Sequence, residues 1–336
     1  MADYRAIKGL PIQVLSSDPS NLNAGQVWYN STLGKVRGAQ LADGSWASGG
    51  NTSSGHWVMN SLFGSQTAAA IAGGHDHTDN YHTETEEYDG SSWTIGNAMQ
   101  RGTGAGAYWS AVGTLTAGLI AGGYHGGPSA GTKDEVEEYD GTNWTEVTDL
   151  PAAGQTQGAF GTQTAAVYAT GSVGNTSLHY DGTNWTSGGN VNTSRNDSTG
   201  NGIQTAGMIV GGEDPSSTKD LTETYNGSSW TEAGDLNTAR YRSGSTTDGP
   251  SSSTIVFGGA PANPAHAITE QWDGTSWTET GDLSTGRYSI GGCGTVSAGL
   301  AACGNLGPGG ITGADASKLT EEWTGPAAAA SNWDVT

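Results

Sequence analysis

The sequence predicts an all-β chain built from repeated four-stranded antiparallel sheets, and three observations carry that prediction. First, 56 of the 336 residues are glycine and only 13% are charged, while Ser, Thr and Asn are abundant. This mixture suits short strands and tight turns, not helices. Second, one unit recurs: EEYDGSSWT from Glu86, EEYDGTNWT from Glu137, LHYDGTNWT from Leu178, ETYNGSSWT from Glu223 and EQWDGTSWT from Glu270. Weaker copies, LADGSWA and EEWTGPAAAASNWD, flank them. Third, the marker tryptophans Trp46, Trp93, Trp144, Trp185, Trp230, Trp277 and Trp333 are separated by 47, 51, 41, 45, 47 and 56 residues. A period of this length is that of a blade or solenoid repeat.

Within one unit, the stretch from Arg101 to Gly123 supplies a first strand, a turn near Thr114 and a small apolar second strand, Ala117 to Ala121. A third strand ends in Glu137-Glu138-Tyr139. Asp140-Gly141 gives the turn chemistry, and the fourth strand begins at Trp144. Four antiparallel strands repeated about seven times make a β-propeller, in which each sheet packs face to face on the next. Each marker Trp then has a structural role, contributing at most about 4 to 6 kcal/mol by burial. Six units follow from about Ser54. Residues 11–50 offer a seventh, with PIQVL, GQVWYN, KVRGAQL and SWAS as its strands, preceded by a tail over 1–10. Seven blades is the preferred count; six blades over 51–336, with 11–50 as a docking arm, is the alternative.

The Gly pairs Gly73-Gly74, Gly122-Gly123, Gly211-Gly212 and Gly258-Gly259 are each followed by a Tyr or Trp and then by the marker Trp. In this the chain resembles the kelch family, whose repeats of about 50 residues form four-stranded propeller blades. Thr170-Gly171 and Cys303-Gly304 depart from the pair. The sialidase Asp-box fits less well, because the turn Asp stands four residues before the Trp, not five. The Trp-Asp dipeptide of WD40 repeats is not periodic here. The stretch SSDPSNLNAGQVWYNSTLGKVRG resembles a segment of bacteriophage virion and tail-fibre proteins. That resemblance implies a virion setting, with other virion proteins as partners and several copies in an assembly.

Twelve Lys plus Arg stand against 33 Asp plus Glu, a formal charge of −21. Such a chain repels phosphate backbones and anionic lipid surfaces, so neither nucleic acid nor membrane is an expected partner. MADYRAIKGL lacks the apolar stretch of roughly 7 to 15 residues that a signal peptide uses. No window approaches about 18 continuous apolar residues. The expectation is synthesis in a host cytoplasm and delivery into a virion. Two cysteines, Cys293 and Cys303, exclude a disulfide scaffold. They sit symmetrically about Ala298, where antiparallel pairing would set them opposite each other, and reduced buried thiols are the preferred state.

The connection between strands two and three is the variable one, spanning 14, 16, 9, 13, 13 and 19 residues from the last Gly of each pair to the third-strand aromatic. Variable loops on a rigid scaffold are where binding is built. The predicted loop face carries His75, Asp76, His77, Asp79, Tyr81 and His82 from one unit, Tyr124 and His125 from the next, and His266. The His75–His82 run is dense in metal-ligand types, but a solvated polar loop is the reading taken, and no metal or other cofactor is assigned. Arg101, Arg195, Arg240 and Arg287 occupy one repeat position. They are read as structural, bonding backbone or the repeated glutamates Glu86/Glu87, Glu137/Glu138, Glu223 and Glu270, since a carboxylate-gripping cluster would not follow the repeat. The third-strand acidic residues are otherwise read as a solvated face. No nucleophile, acid–base or phosphate-loop arrangement assembles, so no enzyme is expected. The expected function is a bacteriophage structural protein whose loop face binds a host-surface glycan or a virion protein. A cellular kelch adaptor is the alternative, and a glycan-cleaving enzyme comes third.

Overall fold

A computed structural model describes residues 12–22, 25–57, 60–76, 81–101, 105–126, 130–155, 157–261, 266–307 and 317–332. The protein is all-β, 47% strand and 1% helical, and no helix is long and apolar enough to cross a membrane. It divides into two compact units: Ser45–Thr324, and Met1–Gly44 together with Gly325–Thr336.

In the larger unit, the described residues form six four-stranded antiparallel sheets. Sheet I is Leu62–Ser65, Ala68–His75, Tyr81–Tyr88 and Trp93–Ile95. Sheet II is Ser110–Thr114, Ala117–Ala121, Val136–Tyr139 and Trp144–Glu146. Sheet III is Gly158–Thr162, Ala165–Ala169, Ser177–Tyr180 and Trp185–Ser187. Sheet IV is Thr199–Ile203, Ala206–Val210, Thr222–Tyr225 and Trp230–Glu232. Sheet V is Gly244–Ser245, Thr254–Phe257, Thr269–Trp272 and Trp277–Thr280. Sheet VI is Gly291–Thr295, Ala298–Ala302, Thr320–Thr324 and, from the start of the unit, Ser45–Ser48. First strands of successive sheets lie against one another, and that of VI also lies against that of I.

The local reasons are repeated. Asp89 Oδ1 accepts the amides of Ser91 and Ser92, and Asp140, Asp181, Asn226 and Asp273 accept likewise, so the turn before the fourth strand of sheets I to V is an Asx turn. At the hairpin of strands one and two, Gly113 has φ +102°, and a Cβ there would lie 2.2 Å from Ala117 O. Apolar clusters fill the spaces between consecutive sheets, one of them joining I to VI through Leu62, Ile71, Tyr88, Leu300 and Cys303. Third-strand tyrosines donate across the same spaces: Tyr180 Oη to Glu138 at 3.0 Å, Tyr88 Oη to Glu322 at 2.6 Å, and Tyr139 Oη to Glu87. The marker indoles also reach back one sheet, as Trp144 Nε1 to Thr85 (2.8 Å), Trp277 to Thr222 (3.0 Å) and Trp93 to Thr320 (2.9 Å).

In the smaller unit, Gln13–Leu15 pairs with Val27–Asn30, Val27–Asn30 with Lys35–Leu41, and Lys35–Leu41 with Ala328–Asn332. Asp18 is its hub. It accepts from Trp28 Nε1 and Asn30 Nδ2, both at 3.0 Å, and faces the Arg37 guanidinium at 3.1 Å. These donors, the Asn30 amide foremost, hold its carboxyl below the ordinary range.

Four expectations are corrected here. SWAS does not complete a sheet with residues 11–41: Trp46 pairs with Trp323, so sheet VI takes that strand and the N-terminal sheet takes Ala328–Asn332 instead. The pairing of Gln13–Leu15 with Val27–Asn30 is parallel, not antiparallel. Glu321, read with the solvated third-strand acidic residues, is buried like the repeated glutamates Glu86, Glu137, Glu223 and Glu270, while Glu87, Glu138 and Glu322 are half-buried. Cys293 pairs with Leu300, which moves the hairpin centre away from Ala298, and both cysteines are free and buried. Trp333 lies outside the described residues.

Candidate functional site

A buried charge needs partners to offset its lost hydration, and the repeat arginines find them within their own sheets. Arg101 Nε bonds Glu137 at 3.0 Å, Arg195 Nη1 bonds Glu223 at 2.6 Å, Arg287 Nη2 bonds Glu321 at 2.7 Å, and Arg240 bonds Glu270. Further guanidinium donors go to backbone carbonyls, such as Gly122 and Glu135 for Arg101, and Cys303 and Leu319 for Arg287. The glutamates also accept loop amides: Glu137 from Gln100, Glu223 from Asn192 and Glu321 from Ser284, each at 2.8 Å. Each pair therefore locks the crossover entering a sheet to that sheet's third strand. In sheet I, His56 takes the Arg position, with Nδ1 2.9 Å from Gly73 O and Nε2 3.8 Å from Glu86. Burial pushes its pKa down. In sheet III both members are gone: Gly154, whose carbonyl accepts from Gly123 as that of Arg240 does from Gly212, stands for the arginine, and Leu178 for the glutamate.

Further along each crossover lies a different set of residues. Asn60, Tyr108, Asp197, Arg242 and Ser289 each stand two positions before a first strand, with φ between 49° and 64°. Left-handed backbone at non-glycine residues costs of order 1 kcal/mol or more each and concentrates at functional sites. Three of them are strung together by short bonds, Arg242 N to Asp197 O at 3.0 Å and Ser289 N to Arg242 O at 2.8 Å. Their backbone follows the repeat, but their side chains do not.

Beside Asp197 is a cavity of about 290 Å³ lined by Tyr108, Gln155, Ser172, Asn196, Asp197, Glu213 and Arg242. Asp197 is 2% exposed. Its Oδ2 accepts from Arg242 Nε at 2.8 Å, and its carboxyl also shares a side-chain hydrogen bond with Glu213. The antiparallel bridge between Asn196 and Glu213, N–O 2.7 and 2.8 Å, brings the Glu213 carboxyl to Asp197. Burial raises the pKa of both, and for Glu213 the Asp197 charge raises it further. The Arg242 guanidinium lies 5.9 Å from the Tyr108 ring centre and 5.5 Å from that of Tyr241.

The predicted loop-face residues are brought together in part. His75 ends the second strand of sheet I, buried, with its ring 5.4 Å from Tyr108, 4.5 Å from Trp57 and 5.6 Å from Tyr81. One aromatic path therefore runs from His75 through Tyr108 to Arg242. His82 stacks on His56 at 4.5 Å and faces Asp76 at 3.9 Å and Glu84 at 3.5 Å. His125 is buried, 3.0 Å from Glu135, and burial pushes its pKa down; half-buried Tyr124 pairs with Thr132. His266 stays in its own loop, its amide on Gly259 O, and does not line the cavity. His77 and Asp79 lie outside the described residues, among which no group of three or more His, Cys, Asp or Glu side chains could hold a metal ion.

The position two residues after the repeat arginine went unread in the sequence. Its signal is in the strings Arg195-Asn196-Asp197-Ser198, Arg240-Tyr241-Arg242-Ser243 and Arg287-Tyr288-Ser289-Ile290, where one site switches between Asp, Arg and Ser inside a constant frame. In comparisons with known protein families and with characterised proteins, no family model and no protein matched this chain.

Proposed function

We propose that the Ser45–Thr324 unit is a six-bladed kelch-like β-propeller that serves as a binding module of a bacteriophage virion, and that it binds through the strained crossover end. Sheets I to VI are the blades, and the fourth strand of the last blade comes from Ser45–Ser48. The observation that carries the binding reading is the cavity at Asp197, where a buried Asp–Arg pair, a second carboxyl and left-handed backbone stand together. Support for the virion setting is the phage-like N-terminal stretch, whose Asp18, Trp28, Asn30 and Arg37 bond to one another as one motif. The protein is read as a binder and not as an enzyme, with host-surface glycan and other virion proteins as its partner classes.

The test is mass spectrometry of purified particles from infected cultures, paired with retention of the purified chain on host envelopes. Presence in the particle and retention that falls on pocket substitution are expected. Absence from particles, with capture of a cellular protein instead, would move the chain to the adaptor reading.

A further inference from the structure

We infer that one face of the N-terminal sheet, made of Ile12, Val14, Val27, Tyr29 and Val36, is the contact through which this chain pairs with a second copy of itself. The inference stands apart from the reading of the crossover end, because it concerns the smaller unit alone. Register puts the five side chains on one side of the sheet. Val14 opposes Tyr29 and Tyr29 opposes Val36, while Ile12 and Val27 stand two residues before Val14 and Tyr29. The other side holds Trp28, Asn30 and Arg37. Asp18 bonds all three, so the connection from Gln13–Leu15 to Val27–Asn30 runs over that side and not over the first. All described strands of the unit belong to this one sheet, which leaves no further layer of its own for the apolar face. Val14 is 67% exposed and Ile12 42%; Tyr29 is exposed, and Val27 and Val36 are half-buried.

Two observations point to what covers it. The first is a shortage of core. A unit of fewer than about 60 residues is marginal on its own interior, and among the described residues its buried apolar side chains are Trp28 and Ala39, both on the Asp18 side. Leaving the opposite face in water forgoes burial that such a unit needs. The second is charge. Arg5, Lys8, Lys35 and Arg37 balance Asp3, Asp18, Asp43 and Asp334, so this unit is formally neutral and the whole −21 falls on Ser45–Thr324. Two larger units repel each other, and two smaller ones do not, so copies approach through the smaller unit. The face is also its own complement. It carries no charged side chain among the described residues, and rows of β-branched side chains interdigitate with a like face about 10 Å away, as two sheets do in a sandwich. The same patch on both copies then makes a closed, two-fold contact.

The experiment is sedimentation equilibrium of the purified full chain at roughly 1 to 100 µM, in about 0.15 M and about 1 M NaCl. Reversible association to at least twice the 34.1 kDa of one chain is expected. The higher salt should strengthen it, by screening the larger units from each other. Val14→Asp sets two carboxylates against each other across the contact and should weaken association by about tenfold or more. Val14→Thr keeps the shape of the side chain, so it tests the contact if Val14→Asp does not fold, and should weaken association by about fourfold. Ile95→Asp, at a 65% exposed position in sheet I, should leave the mass unaltered. A single-chain mass over the whole range, association that the higher salt dissolves, or association indifferent to both Val14 substitutions would overturn the inference. Loss of association with retention on host envelopes intact removes this contact and leaves the binding module; association by a chain that host envelopes do not retain does the reverse.

Discussion

Arg195 and Arg242 each hold a carboxylate within 2.8 Å, yet the two pairs do opposite things. Around Arg195 every charge is answered: Glu223 takes one guanidinium nitrogen, the Gly211 and Thr193 carbonyls accept others, and Glu223 also collects the Asn192 amide. Around Arg242 the setting differs. A second carboxyl, that of Glu213, lies against Asp197, and both Asp197 and Arg242 hold left-handed backbone. The first pair recurs in sheets II, V and VI, and the second occurs once. The periodic pairs hold crossovers to sheets, whereas the Asp197–Arg242 pair, on left-handed backbone, lines a cavity.

The largest effect that would break this comparison is on stability. Arg240→Ala strands buried Glu270, and breaking a buried pair costs about 3 to 5 kcal/mol. The melting temperature should fall by roughly 10 °C, with ligand binding per folded molecule unchanged. A melt shifted by less than about 2 °C would mean the clamp is not structural. Next comes a sheet IV copy of sheet III. Glu223→Leu alone should destabilise by about 3 kcal/mol or more because Arg195 stays behind, whereas Arg195→Gly with Glu223→Leu should recover at least half of that loss in a double-mutant cycle. Additive losses would refute the idea that sheet III discarded the pair as a unit.

The cavity pair should respond in the other direction. Glu213 has a raised folded-state pKa, so its ionisation is penalised as pH rises through that value and carries no penalty below the unfolded value near 4.3. Glu213→Gln should therefore gain stability at pH 7, by roughly 1 kcal/mol or less, and gain nothing at pH 4. Denaturant melts at the two pH values check this. The smallest effect belongs to His56, whose folded-state pKa is lowered by burial. Its contribution is present above its unfolded value near 6.5 and is lost as pH falls through the folded one. His56→Arg should flatten the decline in melting temperature between about pH 7 and 5, and an unaltered slope would show that His56 does not govern it.

Much of the fold was legible because it is periodic. The Asp-Gly turns, the marker tryptophans and the Arg–Glu pairing each appear several times, and repetition separates a rule from chance. Ser45–Ser48 was misassigned for the opposite reason: sequence neighbours usually pair, and nothing local in SWAS says that Thr320–Thr324 is its partner. Glu321 was misread because a charged strand is solvated by default, and only the position of Arg287 turns its carboxylate inward. The cavity was invisible for a deeper reason. Asp197, Arg242 and Tyr108 belong to three different crossovers, and the bond from Arg242 N to Asp197 O joins two of them across a distance that no single stretch encodes.

The pairing of Ser45–Ser48 with Thr320–Thr324 also constrains how the protein is made. On the ribosome, Trp46 emerges 277 residues before its register partner Trp323, and until Gly291 follows, sheet VI consists of Ser45–Ser48 alone. Until then its third strand does not exist and the early strand is an unpaired edge, open to the wrong partner. A chain that stops before residue 320 loses more than its last strands: it keeps a sticky edge at its own beginning, and aggregation, not a smaller folded protein, is the expected product.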